Sequence, residues 1–167
     1  DGIKRTDKDF FSAYVLMHIL GGSGFGSRLM TELREKNGLT YGVSAYLASW
    51  EKADLILGQF ASSNNTVMKA IGIVKNEWAT LADRGVTADE LRDAKTFLTG
   101  AYPLRFDGNS RIARILTGMQ IQGLPIDYIH TRNAKVNAVT MEDIKRVATR
   151  ILKEKNLYFV IVGRPTP

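Results

Sequence analysis

Apolar positions along the chain recur with changing periods. Phe11, Tyr14, Val15, His18 and Ile19 follow i, i+3, i+4, i+7, i+8, which predicts one face of a helix. That helix ends before Gly21-Gly22, a pair able to supply a left-handed cap. After a glycine-rich loop, Ser27 is placed as the N-cap of a short helix carrying Leu29, Met30 and Leu33 inward, and Asn37-Gly38 ends it. From Tyr41 to Ser49 the period becomes two. Trp50 to Ala53 reads as a hairpin connection, and Asp54 to Ser62 as the antiparallel partner. Asn64 to Asp83 is a long helix with the stripe Val67, Ala70, Ile71, Val74, Trp78 and Leu81, stopped by Gly85. Capping boxes at Thr87–Glu90 and Thr140–Asp143 open two more helices, the second basic and reaching Lys153. Between them lies a helix over 109–122, broken by Gly123-Leu124-Pro125, with Asp127 as the cap of a further one. The β-branched run Leu157 to Val162 predicts a buried strand.

This order gives an α+β fold, an antiparallel sheet with helices packed on one face. The 167 residues read as one domain, long enough to bury a core. Three strands make a small sheet, so an opening strand or two is expected upstream of residue 1. The chain begins Asp-Gly-Ile and has no signal-like apolar segment; it reads as a piece of a longer protein, which leaves targeting unjudged. No apolar run reaches the ~18 residues of a membrane span, so no membrane is expected among the partners. Apolar residues at 44% and charged residues at 24% exclude disordered and low-complexity classes. The net charge of +6 is uneven: residues 101–167 carry 11 basic and 5 acidic side chains, whereas the rest of the chain is balanced. The basic residues are spread along amphipathic helices, which favours a solvated or partner-facing surface over nucleic acid.

The candidate chemistry is narrow. No cysteine is available for a thiolate site, and the two histidines are far apart. A zinc hydrolase needs three protein ligands. His18 lies on an apolar helix face with no second ligand one turn away, and His130 reads as a surface residue, so no metal site is expected. A G-x-S-x-G elbow is absent. The glycine loop fails G-x-G-x-x-G at Ser27 and follows a helix instead of a strand. What remains is Arg34, in the last turn of a helix, and Tyr41, at the start of a strand, with a glycine turn between them. Such a turn can bring guanidinium and phenol together, donors suited to a developing oxyanion. The plain alternative is an arginine complementing the helix dipole and a tyrosine opening a half-buried strand.

The stretch Leu20-Gly21-Gly22, Ser27-Arg28-Leu29 and Leu33-Arg34-Glu35-Lys36-Asn37-Gly38-Leu39-Thr40-Tyr41 resembles the C-terminal half of insulinase/pitrilysin-type peptidases, and the order of elements over residues 8–163 fits one such domain without its opening strands. The resemblance implies one half of a two-domain clamshell of the processing-peptidase type, closing over a peptide substrate. It implies that zinc sits in a homologous partner domain or subunit carrying H-x-x-E-H, a motif absent here, so that this chain alone is inactive. It assigns Arg34 and Tyr41 to aligning the substrate and stabilising the tetrahedral intermediate. It also makes Gly21, Gly22, Gly24 and Gly26 the counterpart of a longer substrate-handling glycine loop. A bacterial periplasm is favoured by the resemblance alone, with cytoplasm and mitochondrial matrix left open. The rival reading is a catalytically inactive member acting as a structural or peptide-binding subunit.

Overall fold

The computed structural model describes residues 2–24, 26–50 and 52–166. Phe25 of the glycine loop and Glu51 of the hairpin connection lie outside them. Helix α1 (Phe10–Gly21) runs through the middle of the core. Ala13, Val15, Leu16, Met17 and Leu20 are fully buried, whereas Phe11, Tyr14 and His18 of the expected face are only half-buried. The reason is that α1 is packed on several sides at once, by the hairpin over 43–60 and by the helices over 88–100, 128–137 and 141–151, so the whole cylinder is apolar and no single face stands out. Its end is not a left-handed cap. Gly22 is extended, with φ −66° and ψ 171°.

Helix α2 (Arg28–Met30) continues as a π-helical segment, Thr31–Lys36, which periodicity did not foresee. Ser27 sits at the N-cap position in extended conformation, but its hydroxyl makes no capping bond among the described residues. The chain then forms β1 (Val43–Ser49) and β2 (Asp54–Phe60), antiparallel with Val43 opposite Phe60 and Ser49 opposite Asp54. Val43 and Ala45 point into the core against α1, while the opposite side of the hairpin is open to solvent. The segment before α1 runs beside β2, with Ile3 buried and the Gly2 N–H donating to the Asp54 carbonyl at 2.7 Å.

Helix α3 (Val67–Arg84) buries Ala70, Ile71, Val74, Trp78 and Leu81 of the stripe expected of it, leaves Val67 half-buried, and is stopped by Gly85 at φ +74°. Both capping boxes form, opening α4 (Ala88–Gly100) and α7 (Met141–Ile151). A 3₁₀ turn (Pro103–Phe106), α5 (Asn109–Ile121) and α6 (Tyr128–Asn137) lie between, with Asp127 preceding α6 without a side-chain cap. Among the described residues the result is α+β, seven α-helices with an antiparallel hairpin against one side of them.

The expected strand over 157–162 is corrected by the structure. Among the described residues the sheet has two strands. Leu157 and Phe159 pack on the core, but Val160 is 93% and Val162 97% exposed. β-Branched content favours extended backbone, yet a strand also needs a neighbour to bond with. The segment instead leads to Thr166, whose N–H donates to the Asn64 carbonyl at 3.1 Å. No helix among the described residues is long and apolar enough to cross a membrane.

Candidate functional site

The π-helical segment carries Arg34, and its neighbours fix where that segment lies. Leu29 and Leu33 anchor it to the core from inside. On the outside, Arg28 grips two other helices. Its Nε and Nη2 donate to Glu90 at 2.6 and 2.8 Å, its Nη2 also reaches the Gly85 carbonyl at 3.3 Å, and its Nη1 lies 3.7 Å from Glu77. Glu90 is the same residue that closes the capping box of α4, accepting the Thr87 N–H at 2.7 Å. Burial alone would raise the Glu90 carboxyl, but the Arg28 and Thr87 hydrogen bonds override it and hold the group below the usual glutamate value. Glu77 goes the other way: burial raises it, and the more distant Arg28 only partly compensates. Arg28 is a positioning residue that spacing did not single out. Its only sequence signal was its place in Ser27-Arg28-Leu29.

The turn after Arg34 is tightly made. Gly38, at φ +61°, donates to the Arg34 carbonyl at 2.9 Å, and Leu39 N–H reaches the Leu33 carbonyl at 2.7 Å. Asn37 Nδ2 donates to the Glu32 carbonyl at 2.9 Å. Leu39 and Thr40 are buried, and the Thr40 hydroxyl both accepts from Gly42 N–H at 3.1 Å and donates to its carbonyl at 2.8 Å. Between Thr40 and Val43, both 8% exposed, Tyr41 presents 97% of its surface to solvent. Tyr41 therefore precedes the strand instead of lying in it, and its ring is not packed on a neighbour. Arg34 is half-buried. The fold places the two residues on either side of one hydrogen-bonded turn.

The four loop glycines divide. A Cβ on Gly21 would stand 2.7 Å from Ala45 N, and one on Gly22 would stand 2.7 Å from the His18 carbonyl, so both are explained by close packing of α1 against β1 and on itself. Gly24, at φ +108°, and Gly26 are exposed with open space around them. His18 is half-buried, its ring stacked on Phe97 with centroids 4.9 Å apart, and burial lowers its pKa. His130 is exposed on α6. Among the described residues no group of three His, Cys, Asp or Glu side chains could hold a metal ion.

Comparison with known proteins agrees with this architecture. The family described as "Peptidase M16 inactive domain" matches residues 2–98. The "non-peptidase homolog YmxG" of Helicobacter pylori is 31% identical over 161 residues, covering 96% of this chain and 37% of that protein. The "uncharacterized zinc protease YmxG" of Bacillus subtilis is 27% identical, covering 92% of this chain and 37% of that protein. Among solved structures, a peptidase M16 inactive domain from Pseudomonas fluorescens superposes with a TM-score of 0.81 at 31% identity, over 92% of this chain and 36% of that one. The chain thus spans little more than a third of these relatives. It belongs to the M16 peptidase family, as a member of its inactive-domain class.

Proposed function

We propose that this chain is the non-zinc half of a zinc metalloendopeptidase, closing over a peptide held between it and a homologous half that carries the metal. Its described residues do not fit a zinc site, so the metal and the general base come from the partner. In this reading Arg34 and Tyr41 align the peptide backbone and donate to the oxygen that gains charge as the scissile carbonyl becomes tetrahedral. The observation that carries it is Tyr41, an aromatic side chain left 97% in solvent between the buried Thr40 and Val43. A phenol carried on a hydrogen-bonded turn and facing outward is accessible to a ligand, and an arginine fork on the same turn adds positive potential. Gly24 and Gly26, unlike Gly21 and Gly22, have the open surroundings a substrate-handling loop needs.

The test uses the chain together with its zinc-bearing half and a quenched fluorescent peptide, with and without a chelator. Chelator-sensitive cleavage is expected only in the assembled protein. Arg34→Ala and Tyr41→Phe are each expected to lower kcat about 10²-fold, the general cost of a lost oxyanion donor, with zinc content unchanged. Unaltered turnover in both variants refutes the roles. A second reading, a peptide-binding or structural member without activity, is favoured by the non-peptidase name of the H. pylori relative. Peptide binding without cleavage by a zinc-loaded assembly would select it.

A further inference from the structure

A cavity of about 570 Å³ lies between the start of α1, the 3₁₀ turn, α5 and α6, away from the Arg34–Tyr41 turn. Five arginines line it: Arg5, Arg105, Arg111, Arg114 and Arg132. No aspartate or glutamate is among its lining residues. Four of the five come from the basic last third of the chain, so the fold gathers into one hollow a charge excess that the sequence spreads over three elements.

Two of these guanidinium groups are held in an unusual way. Arg132 is 4% exposed, and its donors go to neutral acceptors: the Leu98 carbonyl at 2.8 Å, Asn133 Oδ1 at 2.7 Å and the Tyr14 hydroxyl at 3.0 Å. Its guanidinium stands over the Tyr102 ring, 4.4 Å from the centroid. Arg5 donates to the Tyr128 hydroxyl at 2.8 Å and lies over the Phe10 ring at 4.7 Å, while its buried Nε has no hydrogen-bond partner. Among the described residues, only Arg111 of the five has a carboxylate within 4 Å, the exposed Asp107 at 3.2 Å. Elsewhere the fold pairs several of its arginines with acids: Arg28 with Glu90, Arg92 with Asp89, Arg146 with Asp9 and Arg150 with Asp7. Burying charge without a counter-charge is costly, and five like charges around one hollow repel one another. Aromatic faces and neutral oxygens orient these groups without neutralising them.

We infer that this cavity is a binding site for a multiply charged oxyanion, carboxylate or phosphate, gripped by several guanidinium forks against aromatic walls. Guanidinium matches both anions in bidentate geometry. The volume is that of a small-molecule pocket. Burial raises the Tyr128 phenol, so its hydroxyl keeps its proton and has it to donate while accepting from Arg5.

The test is titration calorimetry on the chain alone at low salt, so its outcome is separate from the peptidase reading. The probes are inorganic pyrophosphate, citrate and a short polyaspartate peptide. Saturable binding of at least one is expected, weakened about tenfold or more by the double variant Arg111→Gln/Arg114→Gln, the effect of losing charge-assisted hydrogen bonds. Both residues are exposed, so the fold survives their loss. Arg92→Gln, an exposed arginine outside the cavity, should leave binding unchanged. Pyrophosphate alone binding identifies a phosphate ligand; citrate or polyaspartate alone identifies a carboxylate one. No saturable binding of any probe, or equal weakening by Arg92→Gln, overturns the inference.

Discussion

Glu90→Gln separates two jobs that one side chain performs. Glutamine still closes a capping box with Thr87, but it cannot form the ion pair that ties Arg28, and with it the segment carrying Arg34, to α4. The pair is neither a surface pair nor a buried one, since the two side chains are 18% and 27% exposed. Surface pairs contribute up to about 1 kcal/mol, and hydrogen bonds to charged groups about 1.5–3 kcal/mol. Glu77, 3.7 Å from Arg28, takes up part of the lost attraction. The expected loss is therefore about 1–2 kcal/mol, or about 2–8 °C in Tm for a domain of this length. Urea denaturation with a double-mutant cycle against Arg28→Met isolates the coupling. The pH dependence is a second readout. Glu90 is depressed in the folded state, so its contribution is complete above the ordinary glutamate value of 4.5 and fades as pH falls through the folded value. The gap between wild type and Glu90→Gln should be constant at neutral pH and shrink below pH 4.5. A loss under about 0.3 kcal/mol with no such pH dependence would mean that Leu29 and Leu33 alone hold the segment.

Further predictions follow the same logic. Gly21→Ala should cost about 1–3 kcal/mol by urea denaturation, the range for overpacking, because its Cβ meets Ala45 N at 2.7 Å and Ala45 Cβ at 2.8 Å. Gly26→Ala, in open space, should change stability by less than about 0.5 kcal/mol. Equal effects would remove the packing account of the loop. Asp9→Asn should cost about 1.5–3 kcal/mol, the range for hydrogen bonds to a charged group, because Arg146 at 2.6 Å and Arg150 at 3.1 Å lose a carboxylate only 3% exposed and keep Asp143 and Asp7. Arg146 and Arg150 hold Asp9 below its ordinary 3.8, so this stability is present at neutral pH and is lost only in acid, as pH falls below 3.8. A thermal melt showing Asp9→Asn as stable as wild type at neutral pH would contradict the assignment.

The parts of the fold legible in the sequence are those whose cause is local. The α3 stripe is buried from Ala70 to Leu81, with Val67 half-buried in the first turn, and both capping boxes close as Thr87–Glu90 and Thr140–Asp143 require. Helix α1 is legible as a helix but its facing is not: Val15 and Ile19 of the expected face are buried while Phe11, Tyr14 and His18 are half-buried, because a helix apolar all round carries no directional signal. The run over 157–162 has strand composition without a pairing partner among the described residues, and pairing is a long-range matter. The site divides similarly. The Arg34–Gly38–Tyr41 turn is written in consecutive residues. The grip of Arg28 on Glu90 spans 62 positions, and nothing near Arg28 announces it. Charge counting places the basic excess in the last third, but only the fold, which brings α5, α6 and the start of α1 around one cavity, makes it converge.

The π-helical segment has a consequence for how this surface changes over generations. A π turn is an α turn with one residue too many, and each residue of an α-helix advances about 100° around the axis. Loss of one residue between Thr31 and Arg34 would restore regular winding and swing the guanidinium that far around the helix, while Tyr41 stayed on its strand-side backbone. Substitutions nearby leave that direction alone. The aim of Arg34 is thus set by chain length, and a single in-frame codon deletion would re-aim it relative to Tyr41 while leaving both residues in the gene.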